Sequence, residues 1–467
     1  MNGVLTLLAL VTCGLIIFAV PPLVVPYTAD YGLVTVFDTS KAVLLSSALA
    51  AAAGFIFYRQ PVNGSFLLKL FLWALLLRML LGTIIFAFHG QNFFGGDAIT
   101  YDFFGYAQLM GWGGDKISQA QVNRFVGPGI GWGMVYMVGA IYGLIGRNML
   151  AVQLVNSVIG AATAVVVFLC AQEVFNNLRV ARVAGIAVAF FPSLVLWSSQ
   201  GLKDGPVVFF LALAILATLK LGKKLSLKYM ALLVFSLFSL LSFRFYVFYM
   251  IAMAIAGAFI IGMQPVSAKG FVRQFIVIVV VGLALTYLGV TRYANMQIGR
   301  FANLERIQIS RADASSSANS GFLADVDVST TEGALSTIPL GLIYLLFAPF
   351  PWQLASLRQS ITLPEMVIWW ASFPLLILGL WFSIRYRLRQ ISPILIFTVM
   401  LSLAYSVFQG NVGTAYRQRA QLLVFYFIFV AVGYVLLLER REERKRREIA
   451  ERESLATRLA TSAVARR

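Results

Sequence analysis

Residues 179–205 read RVARVAGIAVAFFPSLVLWSSQGLKDG, and their reading sets the frame for the whole chain. Two arginines open the stretch, an apolar run follows, and Lys203 and Asp204 close it. Pro192 falls near the middle of the run, where a missing amide donor bends or breaks a helix. Pro206 suits the first turn of a new helix that continues to about residue 221. Basic connections stay on the inner face of a membrane, so Arg179 and Arg182 place NNLRVAR inside and SQGLKDGP (199–206) outside. Similar apolar segments of about 20 residues recur along nearly the whole chain, which is 60% hydrophobic and only 12% charged. The fold class is an all-α polytopic membrane protein. The short alternating segments of a β-barrel are missing.

Threading outward from this stretch gives a topology. Apolar segments lie near 3–20, 41–58 and 66–88, and Arg59 and Lys69 put the 59–69 connection inside. The N-terminal MNGVLTLLALVTCGLIIFAVPP has no basic leader and no small-residue cleavage site, so it reads as a retained first span. Segment 66–88 then exits into an outer loop, 89–126. Parity across 128–146, 149–172 and 182–199 holds only if one of the first two does not span. The Gly-rich 127–146 fits an outer-face or re-entrant helix, tolerated where protein covers it. Further on, 206–221 returns, 229–243 exits to a short turn at Arg244, and 245–263 re-enters. Segment 274–290 exits, 364–384 re-enters, 391–408 exits and 421–438 re-enters. The piece 337–352 is a second partial helix. The sum is about twelve transmembrane helices with both termini inside. The expected units are two N-terminal extension spans (1–65), a main module (66–290), an outer polar loop (291–336), C-terminal helices (337–438) and a basic tail (439–467).

The net charge of +18 follows from the positive-inside bias and attraction to anionic lipid, not from nucleic acid binding. The tail carries ten Lys/Arg against six Asp/Glu and reads as a charged helix at or near the membrane surface. Cys13 and Cys170 lie in apolar runs and suggest neither a disulfide framework nor a metal spacing. His89, the only histidine, has no His or Cys near it, which argues against a His-based metal site or a Ser-His-Asp triad.

Of the thirteen acids before the tail, twelve fall on the outer face under this threading; Glu173 is the exception. Several cations also face outward against the usual bias, among them Lys203, Arg244, Arg417 and Arg419, which suggests an outer site for an anionic ligand. In FGGDAITYD (94–102), Gly95 and Gly96 permit an unusual backbone, and Asp97 is either a helix cap or a site carboxylate. Thr100 and Tyr101 stay near Asp97 on a helix, whereas Asp102 points elsewhere and reads as a supporting or solvated group. Asp204 is either an N-cap paired with Lys203 or a second site carboxylate, since two carboxylates on one face can divide roles. In GTAYRQR (413–419), Arg417 and Arg419 offer the planar forks that suit phosphate, with Tyr416 beside them to stack or hydrogen-bond; the alternative is anchoring to lipid headgroups. Arg244, in a short turn between apolar spans, needs a partner. The Ser/Ala-rich loop 291–336 is either a lid or a passive connection.

Together these residues resemble the GT-C superfamily of polyprenyl-phosphate-dependent glycosyltransferases, which includes protein O-mannosyltransferases and the aminoarabinose transferase of lipid A. Asp97, Tyr101 and Ala107 are similar to the family's D-x-x-x-Y…A pattern, and 179–205 resembles its proline-interrupted apolar segment followed by an acidic residue. The likeness covers about residues 66–260. It implies inverting transfer of a sugar from a polyprenyl-phosphate donor at the outer face of a bacterial inner membrane, to a glycan, lipid or protein acceptor, beside membrane lipids and envelope glycan assembly partners. By the resemblance Asp97 is the general base and Asp204 the second acidic site residue. Charge placement adds Arg244, Arg417 and Arg419 as a phosphate clamp, with Tyr101, Asp102, Lys203 and Tyr416 lining the substrate. The family often carries Asp-Glu where this chain has Asp97-Ala98, so no cofactor is expected and a divalent metal gains no support. Two other readings fit outer arginines: an O-antigen polymerase or ligase using lipid-diphosphate glycans, and a transporter or flippase of lipid-linked sugars.

Overall fold

The computed structural model of the chain describes residues 2–24, 35–88, 90–94, 96–127, 131–263, 268–301, 303–316, 321–322, 326–354 and 357–464. His89 and Gly95, two residues singled out above, lie outside the described residues, as do 128–130 and 317–320 of the Gly-rich and Ser/Ala-rich stretches. The helices, in chain order, are α1 (Asn2–Val24), α2 (Val36–Tyr58), α3 (Gly64–Ala87), α4 (Gln91–Phe94), α5 (Asp97–Trp112), α6 (Lys116–Val126), α7 (Gly133–Ile145), α8 (Met149–Phe175), α9 (Leu178–Phe190), α10 (Pro192–Ser198), α11 (Asp204–Lys223), α12 (Leu227–Ile261), α13 (Ala268–Tyr287), α14 (Ala294–Phe301), α15 (Leu304–Ser316), α16 (Thr331–Phe347), α17 (Leu357–Phe408), α18 (Val412–Gln418) and α19 (Ala420–Val464). A short 3-10 turn, Val290–Tyr293, precedes α14. Among the described residues there is no strand, only an isolated bridge between Gly321 and Asn411.

Among the described residues, eight helices are long and apolar enough to cross a membrane, and α9 with α10, bent by 56°, makes a ninth if taken as one span. The chain is an integral membrane protein. Two of the eight are folded back on themselves. In α12, Arg244 leaves the helical region (φ −157°, ψ 84°) and bonds to Asp204 at the start of α11. Nineteen residues further on, Met263 packs against Gly222 at the opposite end of α11. At about 1.5 Å per residue, only a return along the same path joins those contacts. Likewise α17 breaks at Arg387: Glu365 in its first half meets Tyr416, and Tyr405 in its second half meets Gln421 close by. Each of these two helices therefore contributes two antiparallel legs, and the structure does not confirm the expected count of twelve spans. The turn expected at Arg244 is a one-residue break.

The helix ends gather into two clusters. At one end, Glu173 holds Lys220 and Lys223, Arg179 pairs with Glu442, and Arg273 donates to the carbonyl of Lys223. Glu173, the acid set apart by the threading, is thus bound among lysines. The opposite end carries Asp97, Asp204, Arg244 and α18. Helices α7 and α16, 13 and 17 residues long, are the short apolar pieces expected from 128–146 and 337–352.

Two other expectations are corrected. The segment 291–336 contains α14 and α15, so it is substantially helical. The charged tail continues the helix of the last span without interruption from Ala420 to Val464, so it extends that span instead of starting a separate surface helix.

Candidate functional site

Three helix ends build the site. Both α5 and α11 begin on an aspartate, and in each case a neighbour is the N-cap: Gly96 (φ −68°, ψ 0°) for α5 and Lys203 for α11. Neither Asp97 nor Asp204 is the cap that the sequence allowed, and Gly96 has ordinary helical geometry. Both carboxylates instead occupy a first helical turn, where the unpaired amides favour negative charge. The third end is α18. Asn411 caps it by accepting from the amide of Gly413 at 2.7 Å, and Arg417 sits in its last turn, where the helix dipole favours a cation.

Arg417 joins the two carboxylates. Its Nη1 donates to Asp97 Oδ2 at 2.6 Å and its Nε to Asp204 Oδ2 at 2.7 Å. Arg244 Nη2 donates to the other oxygen, Asp204 Oδ1, at 3.2 Å. The two acids differ sharply in exposure: the Asp97 side chain is 51% exposed and that of Asp204 2%. Asp204 is therefore a buried anion shared by two guanidiniums, while Asp97 is open on one side.

Lys203 and Tyr101 complete the cluster, with the lysine ammonium 6.0 Å from the centre of the Tyr101 ring. Burial, reinforced by Arg244, lowers the Lys203 pKa to about 8. Burial and the carboxylates of Asp97 and Asp204 push Tyr101 up to about 12, so it remains a protonated donor. Arg417 is largely buried, which opposes its charge, but Asp204 and Asp97 hold its pKa above the usual arginine value. Three cations against two carboxylates leave the cluster with one net positive charge, suited to an anion. Among the described residues, no three His, Cys, Asp or Glu side chains gather into a metal-ligating group.

Three residues placed here from the sequence belong elsewhere. Asp102 is buried, accepts from Tyr142 Oη and Arg147, and ties α5 to the α7–α8 connection. An acidic residue five positions beyond Asp97 reads as solvated from the sequence because its partners lie 40 and 45 residues away. Arg419 is 1% exposed; it donates to the carbonyls of Leu345 and Ala348 at the C-terminal end of α16, filling groups that helix leaves unpaired. Tyr416 turns away from Arg417 and donates to buried Glu365 at 2.8 Å. The Asp102→Asn variant is expected to lose about 1–3 kcal/mol of stability without weakening ligand binding per folded molecule. Thermal unfolding and ligand titration check this; weaker binding at unchanged stability would return Asp102 to the site.

Other side chains at the site went unnoticed in the sequence. Arg417 lies over Trp197, its Cζ 5.6 Å from the ring centre, and Arg244 faces the Tyr246 ring at 5.9 Å. Tyr246 and Tyr405 place their hydroxyls 3.5 Å apart. Trp197 lies seven residues before Asp204, and an aromatic at the end of a span carries no sequence signal that separates a site residue from an interface anchor.

Residues 131–290 match the family model described as dolichyl-phosphate-mannose-protein mannosyltransferase, which supports the GT-C superfamily resemblance. No curated protein matches the chain. Among solved structures, ArnT from Cupriavidus metallidurans, bound to undecaprenyl phosphate, is 16% identical over 66% of this chain and 49% of its own, with a TM-score of 0.39. The archaeal oligosaccharyltransferase AglB from Archaeoglobus fulgidus, in complex with an inhibitory peptide and a dolichol-phosphate, is 13% identical over 68% of this chain and 44% of its own, with a TM-score of 0.38. The chain spans about half the length of these structures or less.

Proposed function

We propose that the chain is a membrane glycosyltransferase of the GT-C type. It takes a sugar from a polyprenyl-phosphate donor and transfers it, with inversion, to an acceptor hydroxyl at the membrane face that carries Asp97 and Asp204. The observation that carries this reading is the division of labour between those acids around Arg417. Asp97 is open and acts as general base. Asp204 is enclosed and holds Arg244 and Arg417 in place for the phosphate.

In the step itself, Asp97 accepts the proton of the acceptor hydroxyl as its oxygen bonds to the anomeric carbon. The bond from that carbon to the phosphate oxygen breaks, and its electron pair leaves on the polyprenyl phosphate. Arg417 and Arg244 stabilise the charge that develops there, and protonated Tyr101 and Lys203 supply further donors. The basic residues gathered at the other end of the bundle support the outer face for this site. A purified sample in vesicles with a labelled polyprenyl-phosphate sugar tests the reading. Release of polyprenyl phosphate with label passing to an acceptor supports it. If label is found only translocated, never transferred, the transporter reading replaces it.

The state of Lys203 gives a pH signature. The ammonium is charged below its pKa of about 8 and neutral above it. Binding of a prenyl phosphate is therefore expected to weaken as pH rises through 8. Lys203→Arg, whose charge persists, should flatten that profile. Titration of farnesyl phosphate between pH 7 and 9 checks both, and an identical slope in the two proteins would remove Lys203 from the site.

A further inference from the structure

Arg78 lies mid-way along α3, 1% exposed, at a depth where a charged side chain is costly. Among the described residues it forms no ion pair. Its guanidinium donates to neutral oxygens: Ala189 O at 2.7 Å, Val188 O at 3.3 Å, Ala74 O at 3.1 Å and Ser198 Oγ at 2.9 Å. Two of these are carbonyls that the bend between α9 and α10 leaves without partners. Val188 O would accept from the amide of residue 192, which is proline. Ala189 O would accept from Ser193, but extended Phe191 (φ −67°, ψ 124°) carries that amide into the first turn of α10.

The same guanidinium borders the underside of the candidate site. A cavity of about 20 Å³, room for a single water, is lined by Arg78, Ser198, Trp197 and Asp204. The indole nitrogen of Trp197 is buried and has no hydrogen-bond partner among the described residues. Gly160 makes the approach feasible, since a β-carbon there would fall 2.5 Å from Ser198 Oγ and 3.0 Å from Arg78 Nε.

We infer that Arg78 is a positioning residue: it holds open the break at Phe191–Pro192 and so sets where Trp197 and Asp204 stand relative to Arg417. This rests on the proposed function only for the ligand used to read it out. It acts by replacing two absent amide donors with one fork, which a lysine cannot do because its single ammonium lacks the planar pair of nitrogens.

The test has two arms on purified full-length protein in detergent. The first is a double-mutant cycle on thermal unfolding with Arg78→Met and Pro192→Ala. Pro192→Ala supplies an amide at position 192 and lets Phe191 return to helical geometry, so that Val188 O can regain a backbone donor and the loss from Arg78→Met should be clearly smaller in that background. Equal shifts in the two backgrounds overturn the inference, and no ligand is involved. The second arm measures the farnesyl phosphate affinity of Arg78→Lys and Arg78→Met at a temperature where each is folded. A loss of about tenfold is expected for a displaced binding group. Unchanged affinity in both variants overturns the positioning role. If the unaltered protein does not bind farnesyl phosphate, the functional reading fails by itself, and the stability cycle still decides the role of Arg78 at the break.

Discussion

Asp97→Asn is expected to yield a folded, membrane-inserted protein that binds polyprenyl phosphate and transfers no sugar at a measurable rate. The asparagine keeps the size of the side chain and its place in the first turn of α5, and removes only the capacity to accept a proton. A general base contributes about 10²–10⁴-fold to a rate. Stability should change little, since the side chain is 51% exposed and its pair with Arg417 is open to solvent on one side. With Arg417 released from one carboxylate, affinity for the phosphate should hold or rise. The informative measurement is therefore turnover beside binding in the same preparation. Turnover within a fewfold of the unaltered protein would end the assignment of Asp97 as base.

Asp204→Asn should behave in the opposite manner. Its carboxylate is 2% exposed and is the shared partner of Arg244, itself 7% exposed, and Arg417. Removing one member of a buried ion pair costs about 3–5 kcal/mol, because the remaining charge stays in place without compensation. The expected result is a large fall in the unfolding temperature together with loss of phosphate binding. The two aspartates are thus separable in one experiment: one variant is stable and inactive, the other unstable and unable to bind. A fully stable Asp204→Asn protein would show that the two arginines do not depend on it.

What could be read from the sequence was what depends on local pattern. Hydropathy and basic connections separated spans from loops, and short turns such as the one at Arg244 were visible as single charges between apolar runs. Asp97 and Asp204 stood out because a carboxylate beside a span needs a reason to be there. Partners were hidden wherever they were distant in the chain. Arg417 lies 320 residues from Asp97, and no spacing rule connects them. The neighbouring Tyr416 and Arg419 looked like equal members of a phosphate clamp because type and proximity were the only guides. Their directions are set by Glu365 and by the end of α16, both known only once the helices are packed. Arg78 was lost in an apolar segment for the same reason: what it serves is a defect in the backbone 110 residues away.

The anchoring of α18 has a consequence for how binding is driven. Tyr416 is tied to Glu365 on one side of Arg417, Arg419 to the carbonyls of α16 on the other, and Asn411 fixes the helix start. Arg417, the side chain of α18 that faces the carboxylates, is therefore already immobilised before any ligand arrives. An arginine on a free loop would surrender rotamer entropy of about 2 kcal/mol when it grips an anion. Here that ordering was completed when the chain folded, so ligand capture should show a small entropic penalty and little temperature-dependent rearrangement.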